Sequence, residues 1–398
     1  MKNLFRLLFI SLFFATSCGE EVFQSLTDDS APGQVSVIRT ENGPGTARVY
    51  YNLPASESLL YIEATHQDKD ETYTTKVSSY KNYIDLEGFS ESRPYEIKLY
   101  SVSRGLNKSE PVVVQVHPET PPYLVTYNQT TVIPDFGGLN VGFDNPTGAN
   151  LVVYVEKKNE AGEWIALDAF YSKELSMVFP IRDQPPVAQE FRLRVRDQFH
   201  NYSDYKQFTL TPWLEDEMDY TKFAGYPLAN DPRLFVDVGL PPQPHQFLWN
   251  QQYTGTPVSS GGWVGTENAT YPQHTITFDV GKITKFTRLV IYQRGINDAT
   301  NLLYTSANLK KFELWGSNDP SPDGSWASWT KILDGDIPVV GGSVAEKQEM
   351  ARRGHDFSIS QDHPPFRYLR IKQVATFSVA ANSRFFLGGI RLFENVSF

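Results

Sequence analysis

The chain has 398 residues, enough for two to four domains, and its 40% hydrophobic and 14% aromatic content exclude global disorder. A net charge of −10 with no evident basic face disfavours a protein that follows nucleic-acid phosphates, with a local basic cleft as the alternative. A single cysteine excludes disulfides within the chain. The 21 tyrosines, 26 phenylalanines, 26 prolines and 27 glycines predict short aromatic-rich strands, and therefore an all-β protein.

The N-terminal residues 1–17, MKNLFRLLFISLFFATS, have the pattern of an export signal. Two basic residues precede an apolar run at 7–14, which is too short for a membrane-spanning helix. Small residues then lead to Cys18, an arrangement that resembles the lipobox of bacterial lipoproteins, although Ala15 stands where Leu is usual. The resemblance implies cleavage before Cys18 and acylation of its thiol. The alternative is an ordinary secretory signal with an incidental cysteine.

The residues after Cys18 bear on where in the cell the protein is located. Glu20 and Glu21 resemble the surface-export signal of Bacteroidetes-type lipoproteins. This resemblance implies a protein that is lipid-anchored in the outer membrane and faces the cell surface. Residues 18–31 are otherwise polar and predict a tether.

Two segments of alternating strand pattern repeat each other. GTARVYYNLP begins at Gly45, and GGLNVGFDNP begins 92 residues later at Gly137. A repeat of about 90 residues with apolar side chains at every second position predicts β-sandwich domains. We place them at residues 32–118 and 119–212, joined by the proline-rich segment PETPP.

The first of these domains resembles fibronectin type III domains in its late-strand pattern YEIKLYSV, with Tyr95 where that family has its corner tyrosine. The second is looser and resembles immunoglobulin-like domains. We expect both to act as spacers or protein-contact modules. The polar turn of Asp197, His200 and Asn201 is expected to be structural.

An acidic cluster follows the second domain, formed by Glu215, Asp216, Glu217 and Asp219. Neighbouring like charges favour a solvated linker, with a calcium site as the alternative. The role of the wider segment 213–244 stays open.

The remainder, residues 213–398, holds several strand motifs in a characteristic order: PQHTITFDVGK, FELWGSND followed by Trp, and RYLRI. This order resembles the discoidin, or coagulation factor 5/8 type C, family. The resemblance implies a jelly-roll β-sandwich whose loops gather at one end. The predicted fold is therefore all-β, with two immunoglobulin/fibronectin-like sandwiches followed by a discoidin-like jelly roll.

Three loops are expected to meet at that end, at about 250–271, 294–308 and 374–386. A sugar needs an aromatic face for its C–H surface and planar polar groups for its hydroxyls. Carbohydrate-binding discoidin relatives, the family-32 modules, often carry an arginine at the position of Arg294. The candidate glycan-binding residues are Trp263, Arg294, Tyr304, Phe377, Asn382 and Arg384.

Each of three candidates also has a structural interpretation. Trp263 could be a buried structural tryptophan. Phe377 could belong to the core at a strand edge, and Arg384 could bridge carboxylates.

Metals, cofactors and catalysis are not predicted. Where many carbohydrate-binding relatives hold calcium, this chain has Asn250–Gln251 and Gly389, which lack the carboxylates that calcium prefers. The segment at 354–365 holds His355, Asp356, Asp362 and His363, which could ligate a metal, but an irregular polar connection is favoured. HExxH, GxSxG and P-loop signatures are absent from the sequence.

The sequence therefore predicts a non-catalytic surface lipoprotein that binds glycans through its C-terminal domain, in polysaccharide capture and uptake. Its predicted partners are a glycan, the outer membrane and outer-membrane glycan-import proteins, without nucleic acid. The alternative from another class is a protein-contact or adhesion lipoprotein, because fold does not fix function.

Overall fold

The computed structural model describes residues 30–235, 244–252, 263–268, 271–295, 302–338, 343–377 and 384–397. These residues are almost entirely β-structure, which confirms the predicted fold class. Cys18 and Asn382 lie outside the described residues. The chain divides into two compact units, one of residues 1–125 with 197–202 and one of residues 126–196 with 203–398.

The first unit is a sandwich of a three-stranded sheet, β1-β2-β5, and a four-stranded sheet, β4-β3-β6-β7. Its strands are β1 (Ser36–Gly43), β2 (Thr46–Asn52), β3 (Leu59–Asp68), β4 (Glu71–Ser78), β5 (Tyr83–Glu87), β6 (Tyr95–Ser103) and β7 (Val112–Val116). Alternate side chains of both sheets, among them Val49, Ile62 and Leu99, are fully buried between them.

Tyr95 begins β6, and its hydroxyl lies 3.4 Å from the backbone oxygen of Glu91 and 3.2 Å from Asp68 Oδ1. A hydroxyl that bonds back to backbone a few residues upstream is the mark of a tyrosine corner. The polar turn is also structural, because the Asp197 carboxylate accepts hydrogen bonds from the amides of Phe199 and Asn201, each at 2.9 Å.

Helix α1 (Pro122–Gln129) spans the division between the units at residue 125. The second unit contains the second sandwich, whose sheets have the orders β12-β9-β8 and β11-β10-β13-β14. Its strands are β8 (Thr131–Asp135), β9 (Gly138–Asp144), β10 (Leu151–Lys158), β11 (Trp164–Ser172), β12 (Ser176–Ile181), β13 (Gln189–Asp197) and β14 (Lys206–Leu210). The strands β11 and β12 are each outermost in their sheet.

The C-terminal sandwich completes this unit. Its sheets have the orders β15-β26-β20-β23, β16-β19-β24-β21-β22 and β17-β18-β25. Its elements are β15 (Asp216–Glu217), the 3-10 helix η1 (Tyr220–Lys222), β16 (Ala224–Gly225), β17 (Leu234–Phe235), the 3-10 helix η2 (Pro244–Leu248), β18 (Val264–Thr266), β19 (Thr275–Thr284), β20 (Phe286–Tyr292), β21 (Leu309–Ser317), β22 (Thr330–Asp336), helix α2 (Val344–Arg353), β23 (His355–Ser358), β24 (Phe366–Thr376), β25 (Phe386–Leu387) and β26 (Gly389–Glu394).

The core of the C-terminal sandwich lies between its two larger sheets. Ile276, Phe278 and Val280 face it from β19, as their alternation predicts. By contrast, every residue of β20 is buried, because β20 is an inner strand of its sheet and both of its faces are covered. Met218 also belongs to this core, so at least part of the segment 213–244 is integral to the domain.

The prediction that residues 215–219 form a solvated linker is wrong. Asp216 and Glu217 pair with β26, and Glu217 receives two hydrogen bonds from Arg391, at 3.0 and 2.7 Å. The side chain of Glu215 is 5% exposed and accepts hydrogen bonds from Arg288 and Thr287. The arginines that pair with Glu215 and Glu217 are distant in the sequence. The local run of acidic residues therefore gives no sign that these carboxylates are paired.

A chain of buried ionic groups joins the second and C-terminal sandwiches. Arg182 Nη1 lies 2.8 Å from Asp135 Oδ2 in the second sandwich, and its Nη2 lies 3.1 Å from Asp356 Oδ1 in the C-terminal one. The other oxygen of Asp356 is 2.7 Å from Arg288, which in turn pairs with Glu215. We call these five residues the junction network.

The junction network is close to charge balance, with two guanidinium groups and three carboxylates. Burial alone would raise the pKa of Asp135, but the Arg182 charge and its hydrogen bond outweigh burial and hold that pKa below its usual value. The lowered pKa of Asp135 means that its ionised carboxylate contributes to the free energy of unfolding. This contribution is complete above the unfolded pKa of about 3.9, and it is lost as the pH falls through the lower folded pKa.

Replacing Asp356 by Asn should destabilise the second unit by about 3–5 kcal/mol, because removal of one partner leaves buried guanidinium charge uncompensated. Urea unfolding at neutral pH measures the change. The matched control is Asp362→Asn, an exposed carboxylate six residues away, which should shift stability by less than about 0.5 kcal/mol. Equal effects of the two variants would contradict the assigned role of the network.

Candidate functional site at the loop end of the C-terminal sandwich

Several strand ends meet at one end of the C-terminal sandwich, which we call the loop end. Tyr292, the last residue of β20, pairs with Gly389, and Leu309, the first of β21, pairs with Thr376, the last of β24. Asn308 forms a bridge with Phe386. The ladder geometry therefore brings together the described parts of the three loops named from the sequence.

An arginine–aromatic cluster occupies the loop end. The guanidinium carbon of Arg294 lies 4.3 Å from the ring centroid of Phe386 and 5.1 Å from that of Trp263. The guanidinium carbon of Arg384 lies 5.1 Å from the same Phe386 ring. Cation–π contacts of this kind fix planar donors at low rotamer freedom. The cluster thus presents two oriented guanidinium groups, both partly exposed.

Trp263 itself is only 5% exposed and packs edge-on against Phe386 at 5.1 Å. This burial favours the structural interpretation of Trp263 and leaves its ring little room to stack on a sugar. Phe386, which the sequence reasoning missed, is 3% exposed and supports both arginines. Its place two residues after Arg384, in the apolar run FFLGG, is the signal that could have found it.

Tyr304 and Phe377 form a second group. Tyr304 is 8% exposed, its hydroxyl lies 3.2 Å from Nε2 of His355, and its ring meets Phe377 edge-on at 5.7 Å. Tyr304 is therefore a positioning residue rather than a surface contact. Its backbone φ of 55° is left-handed, a conformation that costs a non-glycine residue free energy and is held by these contacts. Phe377 is partly exposed.

Asn308 ties the two groups together. Its side-chain amide donates to the backbone oxygens of Arg294, at 3.2 Å, and Leu302, at 2.9 Å. The backbone oxygen of Asn308 accepts from the amide of Phe377 at 3.1 Å. One fully buried residue therefore links the backbone of Arg294, through its side chain, to that of Phe377, through its carbonyl oxygen.

Buried side-chain oxygens lie beneath the cluster. Within the described residues, Gln293 Oε1, Asn308 Oδ1 and Thr376 Oγ1 have no hydrogen-bond partner. Such groups cost free energy unless donors satisfy them.

The His/Asp segment at 354–365 does not form a metal centre. His355 and Asp356 belong to β23, which corrects the expectation of an irregular connection. His355 bonds to Tyr304, Asp356 belongs to the junction network, and Asp362 accepts from Ser360 at 2.7 Å. Among the described residues, no group of three or more acidic, histidine or cysteine side chains converges on a metal position.

Three other tryptophans lie in a separate cluster. Trp326 packs against Trp315 and Trp329, with ring centroids 4.9 and 6.2 Å apart. The Arg370 guanidinium stacks on Trp326 at 4.3 Å and pairs with Asp231, which keeps this buried cation neutralised. We assign these tryptophans to packing.

Three protein families match the chain, each described as a domain of unknown function: DUF4959 at residues 32–118, DUF5126 at 119–221 and DUF5000 at 249–393. No curated protein matches the chain. Within the described residues, no helix has the length and apolar character needed to cross a membrane.

Solved structures similar to the chain include a SusE-like protein, with 26% identity over 69% of this chain and 99% of that one and a TM-score of 0.40. A second is a CBM32 domain from a family 31 glycoside hydrolase of Clostridium perfringens, with 13% identity, coverage of 45% and 94%, and a TM-score of 0.31. A third is a two-domain fibronectin type III segment of chicken tenascin, with 13% identity, coverage of 46% and 99%, and a TM-score of 0.22.

The buried His355 makes the stability of the C-terminal sandwich depend on pH. Burial lowers the pKa of His355 to about 4, against 6.5 when unfolded. Between these values the unfolded chain binds the proton and the folded chain does not, so stability should fall by about 3 kcal/mol as pH drops from 6.5 to 4. Urea unfolding across this range measures the slope. His355→Asn should reduce the slope without removing it, because burial also lowers the pKa of His245. His117→Asn, at an exposed histidine, should leave the slope unchanged.

Proposed function

We propose that this chain is a non-catalytic, lipid-anchored surface protein that binds glycans at the loop end of its C-terminal sandwich and serves polysaccharide capture. The observation that carries the proposal is the convergence of Arg294 and Arg384 on the ring of Phe386. Two planar donor groups held against one ring can bind sugar hydroxyls, or a sugar carboxylate, with little loss of conformational entropy.

The neighbouring residues support the same chemistry. Phe377 is the partly exposed aromatic residue next to the cluster, and its edge contact with Tyr304 holds its ring. Trp263, Phe386 and Tyr304 act beneath the surface, where they support the side chains that meet the ligand. We keep Asn382 as a proposed contact from the sequence.

Binding without chemistry is consistent with this set of residues. Asp356, the carboxylate that follows His355, is engaged by Arg182 and Arg288 and so is not available as a free acid or base. Glycoside hydrolysis needs two carboxylates that face each other across a cleft. The proposed loop-end contacts contain no carboxylate.

Two arginine substitutions test the site. Arg384→Ala and Arg294→Lys should each weaken glycan binding by tenfold or more, because a charge-assisted hydrogen bond or the planar guanidinium fork is lost. A glycan array followed by calorimetry, with the chain from residue 19 onward, measures the effect. The control is Arg352→Ala on α2, which should bind like the unmodified protein.

Binding that survives alanine at both Arg294 and Arg384 would place the glycan elsewhere. If no glycan binds, the protein-contact alternative becomes the better account.

The lipid anchor is tested separately. Cys18→Ala should move the protein from the detergent phase to the aqueous phase of a Triton X-114 partition and abolish palmitate labelling, because the thiol is the proposed acylation site. Ser17→Ala, one small residue for another, is the control and should remain in the detergent phase. Retention of Cys18→Ala in the detergent phase would refute anchoring through this residue.

A further inference from the structure

A cleft of about 820 Å³ lies between the second and C-terminal sandwiches, within the second unit. Strands β11 and β12 form one wall, and α2 with β23 forms the other. The junction network joins the two walls at the base, through Arg182, Asp356 and Arg288. The walls are therefore held at a fixed separation, and the cleft is preformed.

The cleft runs along the edges of sheets. It touches the five consecutive residues 167–171 of β11, and His355, Asp356 and Phe357 of β23. Successive side chains of a strand point to opposite faces, so a surface that meets consecutive residues meets the edge of the strand. Both strands are outermost in their sheets, as is β12.

The outer edge of β11 has unused backbone groups. Among the described residues, its backbone ladder is made with β10, and no hydrogen bond joins its other edge to a further strand. The backbone amide of Ala169 donates a hydrogen bond to the side-chain oxygen Oδ1 of Asp168, at 2.8 Å. An open edge of this kind is a template for another strand.

Apolar side chains line the same cleft. Phe170 stacks on Phe179 with centroids 4.2 Å apart, and Met177 stands beside them on the same wall. Met350, 41% exposed, faces them from α2. Two of the four methionines of the chain thus line one cleft. Methionine adapts to varied partners, and apolar pockets beside an open edge give a bound strand its specificity.

The charged side chains that line the cleft determine which charge a bound segment should carry. Arg182 and Arg288 at the base are neutralised by carboxylates of the junction network. At the rim, Asp183 is exposed without an ion pair in the described residues, while Asp168 lies 4.0 Å from Arg353. A basic group on the occupant is therefore favoured. The tether of this chain, with Glu20, Glu21, Asp28 and Asp29 and no basic residue at 19–29, is disfavoured.

We propose that this cleft binds an extended segment of a partner protein, which adds as a strand to the edge of β11. Alternate apolar side chains of the segment enter the Phe170–Met350 side of the cleft, and a lysine or arginine pairs with Asp183. This docking site is separate from the loop end and goes beyond the proposed glycan binding.

Selection of a random dodecapeptide phage library on the full-length protein tests the proposal. The enriched peptides should alternate apolar residues and carry a basic residue. Met350→Lys and Asp183→Lys, both at surface positions, should weaken their binding at least tenfold. Tyr80→Lys, at a residue 96% exposed in the first unit, is the control and should have no effect.

Hydrogen exchange distinguishes strand addition from side-chain contact alone, because the outward amides of β11 should gain protection when the selected peptide is bound. Three results would overturn the proposal: no enrichment, equal binding by the Met350→Lys variant, or no added protection in β11. Glycan binding is not a readout, so this test can fail while the loop-end site stands.

Discussion

The junction network is the constraint on which the arrangement of the second unit depends. Five ionic side chains with between 5% and 17% exposure share one continuous set of hydrogen bonds across two sandwiches. Burying charges is costly, and the cost is offset when every group has a partner of good geometry. Ser358 adds a neutral link, since its hydroxyl donates to Asp135 at 3.0 Å and accepts from Arg182 at 2.8 Å. Such a network admits few alternative packings of the two sandwiches.

Side chains are also held in fixed positions at the loop end. The arginines there lie against the ring of Phe386, and that ring is itself buried. The cleft differs from the loop end in two ways. Its arginines are paired with carboxylates at the base, and the outer edge of β11 in its wall pairs with no further strand among the described residues. One unit therefore carries two surfaces that differ in what they can recognise.

Much of the fold follows from the sequence. Alternation along TITFDV places Ile276 and Phe278 in the core, and the YEIKLYSV pattern places Tyr95 at its corner, because both depend on local period and short-range bonding. The meeting of the loops that carry Arg294 and Arg384 is implied by the resemblance to discoidin domains and not by local pattern. The domain boundaries, the lipid anchor and the glycan contacts remain predictions.

Other features could not be read from local pattern. The sequence predicts that Glu215 lies in a solvated linker, because its partner Arg288 is 73 residues away. The burial of Tyr304 depends on His355, 51 residues away, and the full burial of β20 depends on neighbours on both faces. The cleft arises only when β11 and β23 meet, and strand edges have no signature of residue type.

The junction network also bears on the order of folding. Arg182 and Asp356 are 174 residues apart, and Asp135 and Ser358 are 223 apart. Contacts of such long sequence separation form late, because the loop-closure entropy is lost before they return any stability. Asp135 and Arg182 therefore have their partners in the C-terminal sandwich only after β23 is in place. The junction between the two sandwiches therefore requires the chain to be available at least as far as Ser358.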